Sequence, residues 1–128
     1  KAIGVSNFNA TDLEVILDGC VIQPMVNQIR FFIGYTQPDV VDFCKGEGIQ
    51  LTGYSPLATG KLLANSEIAA VAERYGKSVA QICIRYVLQK GIAPLPKSTH
   101  AERIRQNVDV NFEISSDDMT LLDGLRDV

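Results

Sequence analysis

The chain has 128 residues, 46% of them hydrophobic and 21% charged, the composition of a soluble globular domain and not of a disordered or low-complexity segment. A net charge of −3 leaves no basic footprint for nucleic acid or for an anionic membrane surface, and no apolar run is long enough to span a bilayer. The three cysteines (Cys20, Cys44 and Cys83) are far apart with no C-x-x-C pair, so a reduced, cytoplasmic setting is expected, with neither a disulfide framework nor a metal site. Lys1 stands where a start Met would be, and KAIGVSN already reads as a strand, so the chain is expected to be a piece of a longer protein.

One unit recurs four times along the chain: a short apolar strand ending in polar residues, then an amphipathic helix. KAIGV leads through Ser6 and Asn7 into a helix at about 10–18, where Thr11 and Glu14 stand at capping-box spacing. PMVNQIRF, at about 24–31, leads into a helix at about 37–46 that starts TQPD and stops at GEG. Within that strand Met25, Asn27 and Ile29 alternate with Val26, Gln28 and Arg30, so the two sets should face opposite sides. IQLTGYS, at about 49–55, leads into a long connection with helices near 66–75 and 79–90, the second capped by Ser78 with Gln81 three residues on. GIAPLP, at about 91–96, leads into a helix over 99–107, and a last helix follows Ser115 near 116–125. Strands alternating with helices predict parallel βα units, and polar residues inside such short strands suit strand ends that line a cavity.

The stretch PLPKSTHAERIRQN carries the sharpest chemical signal. Thr99 and Glu102 stand in the T-x-x-E relation of a capping box, which starts a helix at Thr99. The first amides of a helix have no internal acceptor and carry the positive end of its dipole. Lys97 before the cap and Arg103 in the second turn add two formal charges beside them, the makings of an anion site with phosphate as the natural guest. Two other signals are set aside. Gly60–Lys61 lacks the Ser/Thr and the upstream glycine of a phosphate loop, since Leu62 follows it. His100, the single histidine, stands in the first turn after the last strand and is read as a rim residue.

The strand-end residues form an ordered set, GVSNF … VNQI … YSPL … PKS-x-x-x-ERI-x-x-N, that resembles the second half of an aldo-keto reductase from end to end of the chain. The SPLATGKLL loop points to the bacterial type. The resemblance implies half of a (β/α)8 barrel, strands 5 to 8 plus a C-terminal helix, with residues 1–128 as the C-terminal half of the barrel domain. It implies NADP(H) as cofactor and a small carbonyl compound as substrate, reduced from aldehyde or ketone to alcohol by the parent enzyme. Ser6, Asn7 and Gln28 would hydrogen-bond the nicotinamide carboxamide, and Tyr54 would stack on its ring. Ser55, Leu57 and Thr59 would lie along the pyrophosphate. Lys97, Ser98, Thr99 and Arg103 would take the 2′-phosphate, with Gln106 and Asn107 near the adenine.

Departures bound what carries over. Where many relatives have a His-Pro turn this chain has IRFFIGY, which would place Arg30, Phe31 and Phe32 beside the substrate pocket. Ala58 replaces a common glycine, read as a mild change. The catalytic Asp, Tyr, Lys and His of the family lie in its first four strands, so no catalytic residue is assigned in this chain and the isolated piece is expected to be inactive. Two other classes remain open: an NADP(H)-binding regulatory protein of the same fold, and a non-catalytic (βα)4 structural module. Four strands of a barrel leave two unpaired edges and an uncovered face, so the chain is expected to self-associate or to pair with the missing N-terminal half.

Overall fold

The computed structural model describes residues 1–128. Four strands, β1 (Gly4–Ser6), β2 (Val26–Arg30), β3 (Gln50–Tyr54) and β4 (Ala93–Leu95), form one parallel sheet in the order β1-β2-β3-β4. Helices follow each strand: α1 (Ala10–Gly19), α2 (Pro38–Gly46), then α3 (Ser66–Tyr75) and α4 (Val79–Gln89) after β3, and α5 (Ala101–Val108) after β4. A 3-10 segment, Ala58–Ala64, opens the long connection after β3, and α6 (Ser116–Gly124) ends the chain. The result is an α/β fold of four βα units plus a final helix.

Alternation in β2 is as the sequence predicts inside the strand: Asn27 and Ile29 are buried under the helices, while Gln28 and Arg30 are exposed on the other face. Met25 departs from it, lying just before the strand and exposed. Register sets the residues of the uncovered face in rows. Ser6, Gln28, Thr52 and Ala93 stand side by side, and Arg30, Tyr54 and Leu95 form the next row towards the C-terminal ends of the strands.

The core lies between the helices and the covered face. Its largest fully buried side chains include Tyr86, Phe31, Leu13, Ile29, Ile68 and Ile82. Gly53 in β3 allows this packing, because a Cβ there would stand 3.2–3.4 Å from Ile92, Phe31 and Val87 at once. Cys44 and Cys83 are buried as apolar fillers, and burial pushes the Cys83 thiol up to about 12. Two phenols tie α6 to the body. Tyr75 Oη donates to Asp118 at 2.6 Å and Tyr86 Oη to Asp123 at 2.6 Å, and Arg74 and Lys90 pair with the same two carboxylates at 2.7 Å. Burial and the Asp123 carboxylate both raise the Tyr86 hydroxyl. No helix is long and apolar enough to cross a membrane.

Candidate functional site

The polar residues expected at the strand ends meet at the C-terminal edge of the sheet. The Ser6 hydroxyl and the Asn7 amide both donate to the Gln28 carbonyl, at 3.0 and 2.9 Å. Asn7 has φ 57°, the left-handed conformation that asparagine tolerates better than most residues, and this turns the chain from β1 towards α1. The cap of α1 is Asn9, whose side chain accepts from the Asp12 amide at 2.8 Å while Asp12 accepts from the Asn9 amide at 3.1 Å. That pair replaces the expected Thr11–Glu14 box, because α1 starts one residue before Thr11.

Tyr54 reaches back across β2, its hydroxyl donating to Asn7 Oδ1 at 3.0 Å. This fixes the phenol ring beside Asn7 and leaves the Asn7 side-chain NH2 free to donate. The Gln28 carboxamide is exposed and makes no hydrogen bond of its own, so it too offers a donor and an acceptor. Beneath them Asn27, fully buried, donates to the Phe8 carbonyl at 3.0 Å and accepts from the Phe8 amide at 3.4 Å. Asn27 pins the loop that carries Ser6 and Asn7. Sequence reading stopped at Gln28; a polar residue on the helix-covered side of a strand was the signal for its neighbour.

The loop after β3 is strained. Ser55, Ala58 and Thr59 all have positive φ, 53°, 49° and 55°. Each such non-glycine residue costs about 1–3 kcal/mol, and these costs collect at functional loops. Ala58 holds this conformation packed and 1% exposed, where a glycine would hold it without strain.

Two adjoining cavities follow this loop. One, about 420 Å³, is bordered by Ser55, Leu57, Thr59, Lys97 and Arg103. The other, about 350 Å³, is bordered by Leu57, Lys97, Ser98, Thr99, Arg103, Gln106 and Asn107. Nine of the thirteen expected site residues line this joint groove; Ser6, Asn7, Gln28 and Tyr54 do not, and stand together at the strand ends next to it. The far wall, Ser78, Val79 and Ala80 at the start of α4, was not foreseen as part of the site. The Ser78–Gln81 capping box is formed as expected, and its presence beside the groove was the only signal available.

The charged corner differs from expectation in one respect. The Thr99–Glu102 box does not form: α5 begins at Ala101, two residues after Thr99, and its N-cap His100 gives no side-chain hydrogen bond. Ser98 Oγ accepts from the His100 amide at 3.1 Å, and Glu102 lies 3.7 Å from Arg105 along the same helix. The first turn of α5 thus keeps its amides free of any side-chain acceptor. Lys97 and Arg103, on either side, form no ion pair. Two unneutralised cations beside an uncapped helix start make a site for an anion of more than one charge. His100 lines the same cavity as a rim residue.

The sequence model of the aldo/keto reductase family matches residues 1–127. Glyoxal reductase of Bacillus subtilis is 47% identical over 127 residues, covering 98% of this chain and 46% of its own length. An aldo-keto reductase from a Medee basin deep-sea metagenome library superimposes with a TM-score of 0.94 at 38% identity, over 98% of this chain and 48% of that one. An aldo-keto reductase complexed with NADPH does so with a TM-score of 0.89 at 31% identity, over 98% of this chain and 42% of that one. The chain spans about half the length of the curated relatives it matches.

Proposed function

The chain belongs to the aldo/keto reductase family, and from that premise we propose that it holds NADP(H) for the reduction of aldehydes or ketones to alcohols. The observation that carries this reading is the pair Lys97 and Arg103, unpaired beside the bare first turn of α5 and bordering both cavities. The donor set fits the cofactor. Cations and free amides suit its 2′-phosphate, and Gln106 and Asn107 offer polar edges to an adenine. NADPH, when bound, supplies a hydride from C4 of its nicotinamide to a carbonyl carbon.

Residues of this chain orient that exchange. Ser6, the side-chain NH2 of Asn7 and the carboxamide of Gln28 would hold the nicotinamide carboxamide, while Tyr54, steadied by Asn7, would present its ring face to the nicotinamide and so orient it for hydride transfer. Ser55, Leu57 and Thr59 border the path of the pyrophosphate. The proton for the product oxygen comes from a tyrosine in the first half of the family's barrel, so these residues bind and orient without donating it. The whole protein works in the cytoplasm, and NADP(H) rather than NAD(H) is its cofactor.

We also read the four strands as strands 5 to 8 of an eight-stranded barrel. One feature supports this: the parallel order with β1 and β4 as unpaired edges. The remaining half of the barrel, or a second copy of this chain, covers the open face of the sheet. Light scattering on the purified chain tests the point, since a stable monomer at micromolar concentration with no dye-binding apolar surface would contradict it.

The functional reading is tested by titrating the chain with NADPH and NADH and by assaying the whole protein with simple aldehydes, glyoxal first given the named relative. Preferential binding of NADPH with turnover supports it. Binding without turnover in the whole protein favours a regulatory role, and no binding at all favours a structural module.

A further inference from the structure

Among the helices of this fold α5 is alone in burying none of its residues. It nevertheless carries Arg103, Gln106 and Asn107 and is entered through Lys97, Ser98 and Thr99. A helix of 8 residues has no stability of its own in water, so contacts with the body must fix it. The hydrogen bonds that tie α5 and its C-cap Asp109 to other elements come from two side chains, Lys77 and Gln81. The Lys77–Asp109 pair, at 3.2 Å with the carboxylate 66% exposed, is a surface contact of little worth.

Gln81 is different. It is 5% exposed, and its carboxamide is used at both ends. Oε1 accepts from the Ser78 amide at 2.9 Å, closing the capping box of α4. Nε2 donates to the Gln106 carbonyl at 3.1 Å and to the Asp109 carbonyl at 3.0 Å, taking up acceptors in the last turn of α5. Ser78 to Ala80 and Gln106 and Asn107 all line the 350 Å³ cavity. Gln81 is thus the buried side chain that hydrogen-bonds both segments, beside the surface Lys77–Asp109 pair and Arg85, whose Nη1 donates to the Val110 carbonyl at 3.3 Å just past α5.

We infer that Gln81 is a positioning residue for the adenosine end of the cofactor, an inference that rests on the NADP(H) reading above. It touches no ligand. Its part is to hold α5 in the bound arrangement beforehand, so that binding does not include the cost of ordering that helix. Loss of the bracket should weaken whatever contacts α5 and spare whatever contacts the strand ends.

Two variants separate this from simple helix capping. Gln81→Glu keeps the acceptor for the Ser78 amide but turns a carboxylate oxygen towards the two α5 carbonyls. Gln81→Met removes both links without adding charge. The probes are adenosine 2′,5′-bisphosphate for the α5 side and nicotinamide mononucleotide for the strand-end side, with amide hydrogen exchange as a second readout. Both variants should bind the bisphosphate at least tenfold more weakly and the mononucleotide within twofold of wild type, and α5 amides should exchange at least tenfold faster. In Gln81→Glu the α4 amides should keep their protection. Equal weakening of both probes, unchanged bisphosphate affinity, or unchanged α5 exchange would overturn the inference and leave the cofactor reading standing. Failure of the wild-type protein to bind either NADPH or the bisphosphate would overturn the reading itself, and the inference with it.

Discussion

The strand-end corner and the groove beside it are built on opposite principles. Ser6, Gln28 and Tyr54 stand on strands whose other face is core, with Asn27, Ile29 and Leu51 at most 2% exposed behind them. Lys97, Arg103, Gln106 and Asn107 stand on or beside a helix with no buried side chain, held by a polar bracket. The strand-end corner is fixed by packing, which has few alternatives. The charged corner is held by hydrogen bonds, and because attraction between charges falls off slowly with distance it can tolerate more motion.

The largest expected effect sets the same deletion against both regions. Ile82→Ala, at a fully buried position in α4, should lower unfolding free energy by about 2–5 kcal/mol. Ile104→Ala on α5, where the side chain is 49% exposed, should stay within about 0.5 kcal/mol of wild type. Urea unfolding of the two variants measures the contrast. Equal losses would mean that α5 is packed after all.

Next in size is Asn27→Leu, which fills the same space but strands the amide and carbonyl of Phe8. It should cost about 1–3 kcal/mol and loosen Ser6 and Asn7, seen as faster exchange of the Asn7 amide. A neutral result would show that the strand-end corner does not depend on its buried support.

How much of this was legible in the sequence divides along the same line. Period-2 alternation in β2 and the four strand-helix units were readable because burial of one face dictates them. Residues grouped by chain motif, such as Lys97 to Arg103, also came out together in space. Start points of helices were less readable: Thr11 and Thr99 fit the capping pattern, but Asn9 took one role and His100, with no cap bond, the other. Pattern fixes which residue types can cap, whereas the path of the preceding loop decides which one stands at the helix start. Gln81 showed its local role to Ser78 and hid its second one, since the partners are backbone carbonyls 25 and 28 residues away that no side-chain pattern marks. The strain at Ala58 was hidden likewise, because φ is not written in residue type.

A smaller effect tests the ring end. Tyr54→Ala should weaken NADPH and NADH alike, by about 0.5–1.5 kcal/mol beyond the area lost, through the missing stacking surface. Its melting temperature without cofactor should hardly move, because Tyr54 is only half-buried and its hydroxyl bond to Asn7 is exposed. A steep fall in melting with unchanged affinity would make Tyr54 a packing residue.

The most direct test of the central claim, that the corner of Lys97, Arg103 and the first turn of α5 reads the 2′-phosphate, is the ratio of dissociation constants for NADH and NADPH. It should be measured by fluorescence titration in wild type and in the Lys97→Met/Arg103→Met double variant. Charge-assisted contacts to phosphate contribute about 1.5–3 kcal/mol each, so wild type should prefer NADPH and the double variant should lose at least about tenfold of that preference. NADH affinity should scarcely change. An unaltered ratio, or an equal loss for both cofactors, would contradict the assignment.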